Sequence, residues 1–182
     1  VSVRGQGLTK QVPPQSLLNS RRLYMQILKA LKAVDDARGD GKTSPFQSEV
    51  HVYVTTTDLK GLAIPLEVMG ERVEERRFKC VFHFNHKNGH FGDTYTPFLA
   101  FAARATSSFP VAFEPMRLSD IDSVVDLVYP DGKAEKSASA MWIPFMKPFM
   151  TPLNPGDVAN RAFADGGALD NKPFGHAIDA LL

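Results

Sequence analysis

Apolar residues recur at helical spacing from about Ser16 to Val34, with Leu23, Ile27, Leu31 and Val34 on one side and Lys and Arg on the other. The spacing predicts an amphipathic helix, which "DDARGDGKTSP" (35–45) ends with Gly and Pro as an exposed loop. The period then changes to two. Val50, Val52 and Val54 alternate with His51, Tyr53 and Thr55, which predicts a strand. A second strand is predicted at about 77–84, where Phe78, Cys80, Phe82 and Phe84 alternate with Lys79, Val81 and His83. The charged stretch between them, which includes GERVEERR, reads as a hairpin or a short extra strand. "NHKNGHFGD" is a turn-rich loop.

At "TPFLAFAARATSSFP" the pattern becomes helical again, with Thr96 as the expected N-cap, Pro97 in the first turn and Phe109-Pro110 closing the segment. A short helix is predicted over 118–128, followed by the turn YPDGK. "SASAMWIPFMKPFM" holds too many prolines for a long helix. "NRAFADGG" reads as a short strand running into a glycine turn, and a last helix starts near Pro173 with Phe174, Ala177, Ile178 and Leu181 on one face. Strands interleaved with helices indicate an α/β domain over 16–182, preceded by a polar arm or linker over 1–15 that contains Pro13 and Pro14.

Composition narrows the function classes. A chain of 182 residues is about one domain, long enough to bury a proper core. A formal net charge of +1, with no basic stripe, argues against a nucleic-acid partner. No apolar run reaches the roughly 18 residues of a membrane-spanning helix, and VSVRGQGLTK is too polar for a secretory signal. The single cysteine, Cys80, excludes an internal disulfide and a cysteine-built zinc site. The expected location is therefore the cytoplasm. The chain starts at Val1 rather than Met and stops at Leu182 within an apolar helix face, so the expectation is a piece of a longer protein.

Chemistry is concentrated near the end of the chain, in "ADGGALDNKPFGHAID". In α/β folds functional groups collect where strand ends open into loops, and Asp165 is predicted to sit at such an end. Gly166 and Gly167 allow a sharp turn and a close backbone approach. Asn171 can satisfy free amides at the start of the next helix, whose first turn Pro173 suits. On spacing alone Asp165 has two readings, a plain turn residue or a carboxylate placed for chemistry.

"FADGGALDNKPF" resembles the aspartate motif of patatin-like phospholipases, "FLAFAARATSSFPVAFEPM" is similar to that family's helix-to-channel segment, and "VYVTTTDLKG" to the strand before both. The order and spacing agree over roughly 16–182, and the charged insert at 65–78 is similar to that of large bacterial patatin-related proteins. The resemblance implies a three-layer α/β/α, lysophospholipase-like domain, here incomplete, and hydrolysis of a lipid or ester substrate by a Ser-Asp dyad without histidine and without a cofactor. Asp165 is then the base, Gly166 and Gly167 its supporting turn, and Ser107, Phe109, Pro110 and Phe113 line the substrate channel. A carboxylate can activate a serine only from a rigid, partly shielded loop within hydrogen-bond reach. The sequence departs from the family in one respect: no Gly-x-Ser-x-Gly elbow and no glycine-rich oxyanion loop are present. The nucleophile is expected from an upstream part of the same protein, and the chain alone is expected to be inactive. A lipid substrate makes peripheral membrane contact plausible.

Other residues have plainer readings. Ser107 and Ser108 are tempting nucleophiles but lack an elbow, and serines at helix ends commonly cap. Phe109, Pro110 and Phe113 suit core packing as well as a channel. His83, His86 and His90 have helical spacing, yet the alternation puts His83 at a strand end and the others in a loop, so no metal site is expected. Asp58 is explained by turn capping. "MWIPFMKPFM" is either a lip that touches lipid or a segment buried against the sheet. Two rival functions remain, an inactive lipid- or protein-binding module and a regulatory or scaffolding segment.

Overall fold

The computed structural model describes residues 16–38, 49–132, 134–137, 142, 145 and 155–179. Helix α1 (Ser20–Arg38) leads into a long hairpin, β1 (His51–Val68) and β2 (Glu71–Asn85). Helix α2 (Thr96–Thr106), β3 (Met116–Arg117), α3 (Asp122–Val128), α4 (Pro155–Ala159), β4 (Ala162–Asp165) and α5 (Phe174–Asp179) follow. The strands form one sheet in the order β2-β1-β4-β3, antiparallel at every pairing. The protein is therefore a mixed α/β fold.

Helix α1 is shifted four residues past its predicted span at both ends. Asn19 caps it by accepting from the Arg22 amide at 2.9 Å. Lys32 pairs with Asp36 one turn later and carries the helix beyond Val34. Its buried face is centred on Tyr24 and Leu28, while Val34 is exposed. Thr96 is not the N-cap of α2 but its first residue. Its buried hydroxyl donates to Asp35 at 2.7 Å, tying α2 to α1.

One face of the sheet carries the core. Phe82 and Phe84 of β2 and Phe163 of β4 pack against Phe98 and Phe101 of α2, with Phe82 meeting three rings edge-on. Ala102 and Ala105 leave no side-chain bulk that would hold α2 away from this layer. Trp142 and Phe145 are buried in the same cluster. At those two positions the apolar "MWIPFMKPFM" segment is core. Its other residues, and those of the arm 1–15, lie outside the described residues.

Of the two readings of the charged insert the hairpin holds, because β1 and β2 run through it without a separate strand. The ladder joins His51 to Asn85 and continues to Val68 opposite Glu71, with one irregularity between Thr57 and Leu62. Met69 and Gly70 close it, both at positive φ (53° and 81°), as a type I′ turn requires. The irregularity interrupts the predicted alternation. Phe78 leaves the core row and lies over Gly61, where an added Cβ would come within 2.7 Å of its ring.

Candidate functional site

Asp165 ends β4, which leaves the sheet there because the next residue can approach the neighbouring strand only as glycine. A Cβ on Gly166 would lie 2.1 Å from the Thr55 carbonyl oxygen. From that point the chain makes one 3₁₀ turn, closed by the amides of Leu169 and Asp170, which donate to the Gly166 carbonyl at 3.1 and 2.8 Å. Asp165 is half-buried, and its Oδ1 accepts from the Gly167 amide at 2.7 Å. Among the described residues that amide is its only side-chain hydrogen-bond partner. The turn reading of Asp165 is thus correct locally, and the carboxylate still keeps acceptor capacity for a further donor.

Three distant segments fix this turn. The Asp165 amide donates to the Ser108 carbonyl at 3.3 Å. The Thr57 hydroxyl donates to the Asp165 carbonyl at 2.8 Å. Thr55 reaches the Asp170 carbonyl at 3.4 Å, and Lys79 forms an ion pair with the Asp170 carboxylate. The backbone on either side of the carboxylate is therefore held from β1, β2 and the end of α2.

The end of α2 is held in turn by a buried arginine that the sequence reading did not single out. Arg104 is fully buried, and its guanidinium donates to Ser108 Oγ at 2.9 Å and to Ser20 Oγ at 2.7 Å. The Phe113 ring covers it at 4.1 Å. Burial lowers its pKa to about 10, opposed by the Glu114 carboxylate. The only advance signal was an arginine among alanines and phenylalanines in an apolar helix.

The proposed channel residues divide. The Ser107 hydroxyl donates to the carbonyls of Ala103 and Arg104 at 3.0 and 3.1 Å, a helix-end cap. Phe109 and Pro110 are exposed, so core packing does not explain them, whereas Phe113 is half-buried against Arg104.

Asp58 does more than its turn-cap reading says. Its Oδ1 does cap the local turn, accepting from the Lys60 amide at 3.0 Å, but the residue is also buried in β1, with Oδ2 held by Arg161 Nε and Nη2 at 2.7 and 2.5 Å. The same guanidinium donates to the Gly61 carbonyl at 2.7 Å. The cap reaches two residues along the chain, while the ion pair joins residues 103 positions apart. The sequence could not show it.

The histidines do not converge on a metal. Among the described residues no group of His, Cys, Asp and Glu could hold an ion. His83 instead stacks on Tyr53 at 4.2 Å and shares a 2.8 Å hydrogen bond with His51, on the sheet face away from α2. His176 of α5 also stacks on Tyr53, at 5.3 Å. Burial, then the neighbouring His51 and His176, lowers the pKa of His83. Glu49, which joins Lys87, His51 and Asn85, is held down to about 2, chiefly by the Lys87 hydrogen bond. Cys80 is buried and its thiol pushed up to about 12 by desolvation, which leaves it inert.

No family model matches the chain, and no solved structure matches it. Over 166 residues it is 30% identical to the uncharacterized membrane protein Rv3479 of Mycobacterium tuberculosis. The match covers 89% of this chain and 14% of that protein. The chain thus spans about a seventh of the length of the curated relative it matches. Among the described residues no helix is long and apolar enough to cross a membrane.

Proposed function

We propose that the chain is a part of a serine acyl hydrolase of the patatin-like type, acting on a lipid ester, and that Asp165 is its general base. The observation that carries this reading is the meeting of three segments at one carboxylate. The strand VYVTTTDLKG supplies Thr57 to the Asp165 carbonyl, the segment ATSSFP supplies the Ser108 carbonyl to its amide, and FADGG supplies the acid itself. These are the segments whose resemblance pointed to that family, and they lie up to 108 positions apart.

The geometry suits the chemistry. A base that removes the proton of a serine hydroxyl must be held in place by its backbone while its side chain stays available. Asp165 meets both conditions, since its amide and carbonyl are engaged and its carboxylate binds one amide hydrogen. The serine, on a strand-to-helix elbow, and the amides that stabilise the oxyanion come in this reading from polypeptide upstream of Val1. Attack then transfers the serine proton to Asp165, and the same carboxyl returns it to the leaving alkoxide. The fold is accordingly read as the C-terminal portion of a three-layer domain. Phe109 and Pro110 offer exposed apolar surface to an acyl chain beside the acid.

Turnover of p-nitrophenyl esters by a protein that includes the upstream sequence tests the proposal. Asp165→Asn is expected to lower it by roughly 100- to 10,000-fold, in the range of general-base catalysis. Equal turnover by the variant removes Asp165 from the mechanism. A fluorophosphonate probe is expected to leave the 182-residue chain unlabelled. Labelling of one serine within this chain overturns the assignment of the nucleophile to upstream sequence.

A further inference from the structure

The hairpin is far longer than the core needs. Beyond the irregularity at 58–61, β1 and β2 continue for seven residue pairs, from Leu62 opposite Arg77 to Val68 opposite Glu71, roughly 23 Å of arm at 3.3 Å per residue. Every residue from Pro65 to Lys79 is exposed. Its base is nonetheless rigid, because the buried Asp58–Arg161 pair and the Gly61 carbonyl bolt it to β4.

The arm is apolar at its end. Met69, at the apex, is completely exposed. Val68, Leu66 and Val73 are exposed beside it and share one face, with Glu71 as the one charge next to the apex on that face, as the pairings Leu66–Val73 and Val68–Glu71 require. An apolar tip kept in water marks a contact with protein or membrane. The edge strand speaks against protein. Six of the seven residues from Glu71 to Arg77 are charged, the pattern that prevents addition of another strand.

Behind the tip lies an open cavity of about 820 Å³, lined by Lys60, Arg72, Arg76 and Arg161, with Glu74 as its carboxylate. Arg161 is taken by Asp58, which leaves Lys60, Arg72 and Arg76 as the cations that face it, beside the Glu74 carboxylate. Arg72 lies two residues below the turn, roughly 7 Å along the strand, within the roughly 5–10 Å depth over which an interfacial element passes from acyl boundary to head groups.

We propose that this arm docks the protein on a phospholipid bilayer, with Met69, Val68, Leu66 and Val73 entering the acyl boundary and Lys60, Arg72 and Arg76 receiving lipid phosphates. Over residues 60–77 the four cations Lys60, Arg72, Arg76 and Arg77 are balanced by Glu67, Glu71, Glu74 and Glu75. Binding therefore rests on apolar insertion and needs no anionic lipid. The proposal stands on the arm alone and does not depend on Asp165.

Sedimentation of the chain with phosphatidylcholine vesicles tests it. The wild type is expected to co-sediment, to remain bound at high salt, and to resist competition by inorganic phosphate, which separates a lipid phosphate from a free one. Met69→Asn is the informative variant, since Asn favours positive φ at a type I′ turn and keeps or raises thermal stability. It is expected to lower partition by about tenfold or more through the lost apolar contact. Arg72→Gln with Arg76→Gln is expected to weaken it severalfold, and Asp165→Asn not at all. Wild-type protein left in the supernatant overturns the proposal, as does undiminished binding of Met69→Asn. A dimer in vesicle-free solution that Met69→Asn abolishes overturns it too, in favour of a second copy as occupant.

Discussion

At one end of β4 the Arg161 guanidinium closes on Asp58 with both groups almost wholly out of water, whereas at the other end Asp165 is half-buried and its carboxylate binds a single backbone amide. The two acids sit on one ladder, Asp58 opposite Phe163 and Asp165 two residues further along. Their difference is one of commitment. A buried carboxylate with one oxygen on Arg161 at 2.5–2.7 Å and the other on the Lys60 amide has both oxygens engaged, and its work is to anchor the hairpin arm. A carboxylate fixed through its backbone and largely unengaged at its oxygens remains available for chemistry. Burial and pairing thus mark Asp58 as architecture and leave Asp165 as the acid with acceptor capacity to spare.

The comparison breaks most sharply at Arg161. Arg161→Met leaves Asp58 buried without a counter-charge and is expected to cost about 3–5 kcal/mol in urea unfolding. Replacing both partners by apolar residues is expected to restore much of that loss, since the penalty lies in the uncompensated charge. Gly166→Ala comes next. Its Cβ must displace the Thr55 carbonyl, with an expected loss of about 1–3 kcal/mol. Asp165→Asn is expected to stay within about 1 kcal/mol of the wild type, because the amide oxygen still accepts from Gly167. A loss as large as that at Arg161 removes the distinction between the two ends.

The smallest effect concerns pH. The pKa of His83 is lowered in the fold, so the unfolded chain binds more protons there as pH falls through the ordinary histidine range near 6.5. Stability contributed by neutral His83 is complete above that range and lost below it. His83→Gln is expected to flatten the slope of the urea midpoint between about pH 7 and pH 5. Glu49 acts in the same sense at lower pH. Its stabilising contribution is present above the ordinary carboxylate range and is lost as pH falls toward about 2.

Much of the fold was legible because it is local. The alternation of Val52 and Val54 with His51 and Tyr53, and of Cys80, Phe82 and Phe84 with Val81 and His83, specifies strands with one face on a core, and both strands are present. The helix at TPFLAFAARAT followed from its spacing and Pro97. The length of the hairpin did not. GERVEERR reads as polar in one dimension, and it becomes a strand through cross-strand partners such as Leu66 for Val73 and Glu67 for Arg72.

What the sequence determined by itself was the alphabet of the site: an acid before two glycines, a cap-rich helix end, and a threonine-rich strand. Periodicity and turn chemistry act over a few residues, so one dimension is enough to place them. Tertiary structure alone decided that these three segments meet at Asp165, that Arg104 is buried beneath them, and that Asp58 is locked by Arg161. Contacts spanning a hundred residues depend on register and on which side chains lose water together, and neither is written in the spacing of a single segment.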